Sequence, residues 1–188
     1  MKNKYSLRHI ILSGVFIAIG IIIPMVVHAL ASSGGGQMLL PMHIGVMVAA
    51  FFLPPLFAMT VGAITPILSW LLTGMPAMAP MPIAAIMAFE LAAYALVISL
   101  LRKVVYKNRK NYFAPYIALV PAMIIGRVIA GLAFFLLIKL FNVQTGLTAF
   151  AYVSGAVTAG LIGIAIQLAL IPLLYRALVN ALPGWKSE

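Results

Sequence analysis

Long apolar runs alternate with short breaks rich in glycine, proline or polar residues along this chain. A hydrocarbon core about 30 Å thick is crossed by about 20 apolar helical residues, so run length is the first guide to architecture. The first run extends from about Arg8 to Leu30, and Ala31-Ser32-Ser33-Gly34-Gly35-Gly36-Gln37 is too flexible to continue it. Leu39 to Leu72 is too long for one span, and Pro54-Pro55 divides it into two short helices joined by a tight turn. The segment from Thr73 to Pro82 carries Pro76, Pro80 and Pro82 and stops regular structure. A fourth span runs from about Ile83 to Leu101, followed by a basic loop from Arg102 to Lys110. A fifth runs from about Ala114 to Ile138, where Asn142-Val143-Gln144-Thr145-Gly146 breaks the pattern, and a sixth from about Phe150 to Tyr175. The pattern predicts an all-α membrane protein: one compact bundle of six transmembrane helices over residues 1–188 with no soluble domain.

Composition strengthens this picture. Only 7% of residues are charged and 65% are hydrophobic, whereas a soluble domain carries about 25% charged residues. The basic start before a long apolar run looks like a signal peptide, but no small-residue cleavage site opens a polar mature region, so it reads as a retained first span. The net charge of +10 does not mark a nucleic-acid surface, because the basic residues cluster at the ends of apolar runs. With six spans, Lys2, Lys4 and Arg8, the loop residues Arg102, Lys103, Lys107, Arg109 and Lys110, and the tail residues Arg176 and Lys186 all fall on one side. That side is cytoplasmic by the positive-inside rule, which puts both termini there and turns the three polar or proline-rich breaks outward.

Two acidic residues, Glu90 and Glu188, and no cysteine leave little room for chemistry. They exclude a carboxylate dyad, a carboxylate-rich metal cage and any thiolate or cysteine-ligated centre. Ser69 and Ser154 lack a recognised nucleophile context, two histidines alone make no convincing metal site, and no cofactor is called for. Gly34-Gly35-Gly36 lacks the Lys-Ser/Thr of a phosphate loop, so energy from ATP has to come from another protein.

Glu90 and Arg127 are the only carboxylate and the only base within the spans. An ionised side chain in the bilayer is costly enough to need a partner or a function. Counted from the cytoplasmic span ends, Glu90 (about 11 residues in) and Arg127 (about 13) reach similar heights near mid-membrane at about 1.5 Å per residue. They therefore either lock the fourth and fifth spans as an ion pair or meet a polar ligand. Tyr94 lies one turn from Glu90 on the same face, able to donate to it or simply to pack. His43 starts the second span near the outer rim, and His28 ends the first at the same surface. With Gln37 and Thr73, these residues are candidates to line one outward cavity, closed by the loops Ala31–Met38 and Thr73–Pro82. Gly14 and Ala18 form a small-xxx-small face on the first span, suited to packing within the bundle or against another membrane subunit.

The pattern resembles the substrate-binding S components of energy-coupling factor (ECF) vitamin transporters. The resemblance is carried by Leu40-Pro41-Met42-His43-Ile44, by Thr65 to Pro76, by Ala88-Phe89-Glu90-Leu91-Ala92-Ala93-Tyr94 and by Gly126-Arg127-Val128-Ile129-Ala130-Gly131, within the six-span layout. It implies a non-enzymatic, multi-pass protein of a prokaryotic cell membrane that binds a small water-soluble vitamin or related micronutrient. Its implied partners are a transmembrane scaffold subunit, docked on the Gly14 and Ala18 face, and two ATPase subunits. Glu90 favours an amine or hydrogen-bonding heterocycle, and Arg127 an anion such as pantothenate unless Glu90 neutralises it. A standalone secondary carrier or channel for a small polar solute is the competing expectation.

Overall fold

A computed structural model of the chain describes residues 7–30, 39–108 and 110–181. The described residues form seven helices and no strand: α1 (Leu7–Leu30), α2 (Pro41–Phe52), α3 (Pro55–Thr73), α4 (Ile83–Lys107), α5 (Tyr116–Leu140), α6 (Ala149–Ala159) and α7 (Leu161–Ala181). Five of them, all but α2 and α6, are long and apolar enough to cross a membrane.

Local chemistry sets the boundaries. Pro41 and Pro55 open α2 and α3, the position where a missing N–H costs nothing. Pro54 stops α2, whose C-cap Leu53 is extended and donates its N–H to the carbonyl of Ala49. Gly74 ends α3 in the left-handed conformation at φ 73° and donates to Trp70, which is the usual glycine termination of a helix. Thr148 caps α6 by accepting a hydrogen bond from the Ala151 N–H.

Two elements differ from the run-length reading. The run ending near Leu101 continues as helix to Lys107, because Arg102 and Lys103 are good helix formers and only Asn108 ends the turn. The run from Phe150 to Tyr175 is two helices meeting at Gly160, where a Cβ would crowd Leu40 and the carbonyl of Ala156.

The core is centred on α2, which is buried on every face. It packs against α1, α3, α4 and α7. An all-round apolar helix of this kind belongs inside a bundle. Helices α3 and α4 approach closely, and a Cβ on Gly62 would overlap the carbonyl of Leu91. Gly20 of α1 lies against Thr65 of α3 and Gly45 of α2. The small residues thus bring helices together where lipid gives no hydrophobic drive for them to associate. By contrast α1 buries only Gly20, Ile21 and Pro24, and α6 buries no residue at all.

Candidate functional site

Glu90 is 3% exposed and sits about 10 Å from the Ile83 end of α4, at about 1.5 Å per residue. Its neighbour Phe89 is 54% exposed, so one residue step turns the helix from outer surface to interior. The Arg127 guanidinium on α5 lies 2.9 Å from Glu90 Oε1, and the Tyr94 hydroxyl donates to the same oxygen at 2.7 Å. Val128, next to Arg127, is 58% exposed. The Glu90 carboxylate and the Arg127 guanidinium thus face inward and pair across adjacent helices.

His43, on the first turn of α2, is 2% exposed. Its Nε2 lies 3.9 Å from Glu90 Oε1, too far for a hydrogen bond, and neither ring nitrogen has a hydrogen-bond partner. Its ring tilts against that of Tyr94 at 5.7 Å. Tyr94 is seated by Gly126, because a Cβ at that position would overlap the tyrosine ring. The glycine that precedes Arg127 therefore makes room for the group that shares the carboxylate with it.

Above this cluster lies a cavity of about 710 Å³ whose wall includes Glu90, Arg127, His43, His28, Ser69 and Thr73. It occupies the end of the bundle where α1 and α3 finish and α2 and α4 begin, opposite the basic Lys107 end of α4. Met75, Pro76, Ala77 and Met81, from the segment after α3, fold over it. That segment is tied to α3 by the Ser69 hydroxyl, which donates to the carbonyl of Met75 at 2.8 Å, and by Thr73, which accepts from the Met75 N–H at 3.2 Å. The rest of the wall is largely apolar and rich in methionine, with Met25, Met42 and Met87 beside those of the segment. Such a site suits a small molecule with a compact polar group and an apolar body.

Of the residues singled out in the sequence, His43, Thr73, Glu90 and Arg127 line the cavity together. Tyr94 does not line it. It supports Glu90 from behind and faces an apolar groove of about 640 Å³ between α5 and α6, which Arg127 also reaches. Helix α6 is the wall between the two spaces, with Ala151 and Tyr152 toward the cavity and Phe150 and Val153 toward the groove. Gln37 and the loop Ala31–Met38 lie outside the described residues. Gly14 and Ala18 are on the exposed side of α1, and a Cβ on Gly14 would meet nothing within 4 Å. Tyr152, which lines the cavity and stacks on Phe134, was not apparent in the sequence. An aromatic residue in an apolar run carries the same signal whether it faces lipid or a cavity, and only its placement beside the small residues Gly155 and Ala156 hinted at space there. Among the described residues, no three His, Asp or Glu side chains gather as a metal site.

The family model described as "ECF transporter, substrate-specific component" matches residues 8–175. No curated protein and no solved structure matches the chain.

Proposed function

Because the chain belongs to the substrate-specific components of ECF transporters, we propose that its cavity captures a small water-soluble vitamin or related micronutrient for ATP-driven uptake. In this reading a transmembrane scaffold subunit and two ATPase subunits complete the transporter in a prokaryotic cell membrane. The observation that carries the assignment is the Glu90–Arg127 pair set in the wall of a 710 Å³ apolar cavity. A pair needed only to lock α4 to α5 has no reason to border a space of that size, and a ligand enclosed there makes its few hydrogen bonds in a low dielectric. His43, Thr73, Glu90 and Arg127 contact the ligand, and Tyr94 holds Glu90 in place.

The cavity opens outward, which agrees with its position opposite the basic end of α4 and with the cytoplasmic preference of lysine and arginine. The segment Thr73–Pro82 closes over the bound molecule. The exposed Gly14 and Ala18 face of α1 receives the scaffold subunit, since small side chains let another helix approach closely.

Mass spectrometry of the small molecule released from the purified chain, followed by uptake of that molecule with and without co-expressed scaffold and ATPase subunits, tests the proposal. ATP-dependent accumulation only with the full complex is the expected result. Equal accumulation by the chain alone identifies a standalone carrier instead.

A further inference from the structure

We propose that the cavity selects a flat, uncharged, ring-bearing ligand, and that Tyr152 is the residue that recognises the ring. This rests on the reading of the cavity as the substrate site and narrows the class of substrate.

The first support is an aromatic platform. The rings of Phe134 on α5 and Tyr152 on α6 stack at 4.4 Å between centroids with 14° between planes. Phe134 is 2% exposed and packed among Ile86, Ala130 and Ala133. Tyr152 reaches the cavity wall and Phe134 does not. Phe134 therefore braces one face of the tyrosine from the core and leaves the rest of the ring to the cavity. A ring already held at a fixed angle loses little freedom when a second ring lies against it, and stacked geometry adds to simple burial.

The second support is charge. The two formal charges on the described wall, Glu90 and Arg127, are closed on each other at 2.9 Å. An anionic ligand has to draw Arg127 away and leave a buried carboxylate without its base. A cationic ligand at Glu90 has to place its charge beside the guanidinium already paired there. A ligand without net charge does neither, and can still donate to the carboxylate or accept from the arginine.

The third is the use already made of the wall hydroxyls. Ser69 gives its proton to the carbonyl of Met75, and Thr73 gives its proton to the carbonyl of Ser69 at 2.7 Å. The Ser69 oxygen remains as an acceptor, and that of Thr73, which already takes the Met75 N–H, keeps its second lone pair, so N–H or O–H groups on the ligand edge are matched. The thioethers around them mould to a ring without demanding a partner.

The test is titration calorimetry on the full purified chain with four probes. Pyridoxine and 4-amino-5-hydroxymethyl-2-methylpyrimidine are flat and uncharged, the phosphate ester of the pyrimidine is flat and anionic, and pantothenate is anionic and not flat. At least one uncharged flat probe binds, and the ester and pantothenate bind more weakly than it. Tyr152→Leu weakens the flat probe by about tenfold, the scale of an aromatic pair, and Tyr152→Phe keeps its affinity. Melting temperatures of both variants report whether the fold is retained, and the probe ranking on the unmodified chain holds independently of them. Tighter binding of the ester or pantothenate, no binding of either flat probe, or wild-type affinity in a folded Tyr152→Leu overturns the proposal. ATP-dependent uptake of pantothenate by the assembled complex overturns it while leaving the proposed function standing. A flat probe that binds as described without ATP-dependent uptake upholds the ring site and overturns the transport reading.

Discussion

Inside the bundle, Arg127 and Tyr94 converge on a single oxygen of the Glu90 carboxylate. Removing one member of such a pair leaves the other desolvated and uncompensated, whereas removing both does not. Arg127→Met should therefore lower stability by about 3 kcal/mol, the lower end of the range because the guanidinium borders the cavity. The double variant Glu90→Gln with Arg127→Met should recover most of that loss while still failing to bind ligand. Thermal melting of the purified protein measures the first effect and ligand titration the second. A second residue-scale test concerns Gly126. Gly126→Ala has to displace the Tyr94 ring, so it should weaken ligand binding at least tenfold, about the effect of one lost hydrogen bond to a charged group. Gly14→Ala, which meets open space, should leave binding unchanged. Glu90 and Arg127 were legible in the sequence because a charge in an apolar run has few explanations, and Tyr94 because it lies four residues along the same helix. The burial of His43 was not legible, since its place at the start of α2 says nothing of what covers it. The stack of Tyr152 on Phe134 joins two helices and leaves no periodic trace in either.

Between elements, the contacts are of two kinds. Where helices meet inside the bundle, small residues are pressed against backbone or side chains, as Gly62 is against the Leu91 carbonyl. A backbone atom cannot rotate away as a side chain can, so Gly62→Ala should cost about 1–3 kcal/mol by forcing α3 from α4, read as a lower melting temperature. On α1 the small residues Gly14 and Ala18 are instead exposed, and a Cβ on Gly14 would meet nothing within 4 Å among the described residues. Gly14→Leu and Ala18→Leu should therefore leave melting and ligand binding near wild type and reduce recovery of the scaffold subunit in co-purification. Loss of binding with assembly intact would reverse the assignment. The proline turn between α2 and α3 could be read directly, because proline restricts the backbone whatever surrounds it. The continuation of α4 past Leu101 was hidden, because apolar run length measures the preference for lipid, and a helix persists beyond it wherever its charged residues are good helix formers.

Over the whole molecule, the cavity and the main basic cluster lie at opposite ends of α4. A chain without cysteine makes the resulting orientation simple to check. Ala79→Cys should react with a membrane-impermeant maleimide on intact cells, and Lys107→Cys only after the cells are opened. The reverse pattern would place the cavity on the cytoplasmic side. The short helix at the centre also bears on how the protein is made. At about 1.5 Å per residue, α2 is about 18 Å long, well short of the hydrocarbon thickness, and it has no face left for lipid. Synthesis runs from the N-terminus, so α1 is present when α2 emerges, but α4 and α7, which cover its other sides, do not yet exist. Helix α2 therefore spends part of its biogenesis without its neighbours, paired through the Pro54-Pro55 turn with an α3 long enough to hold it at the membrane. Chains arrested once α3 has cleared the ribosome should leave α2 open to added protease, and chains released only after α7 has cleared it should protect α2.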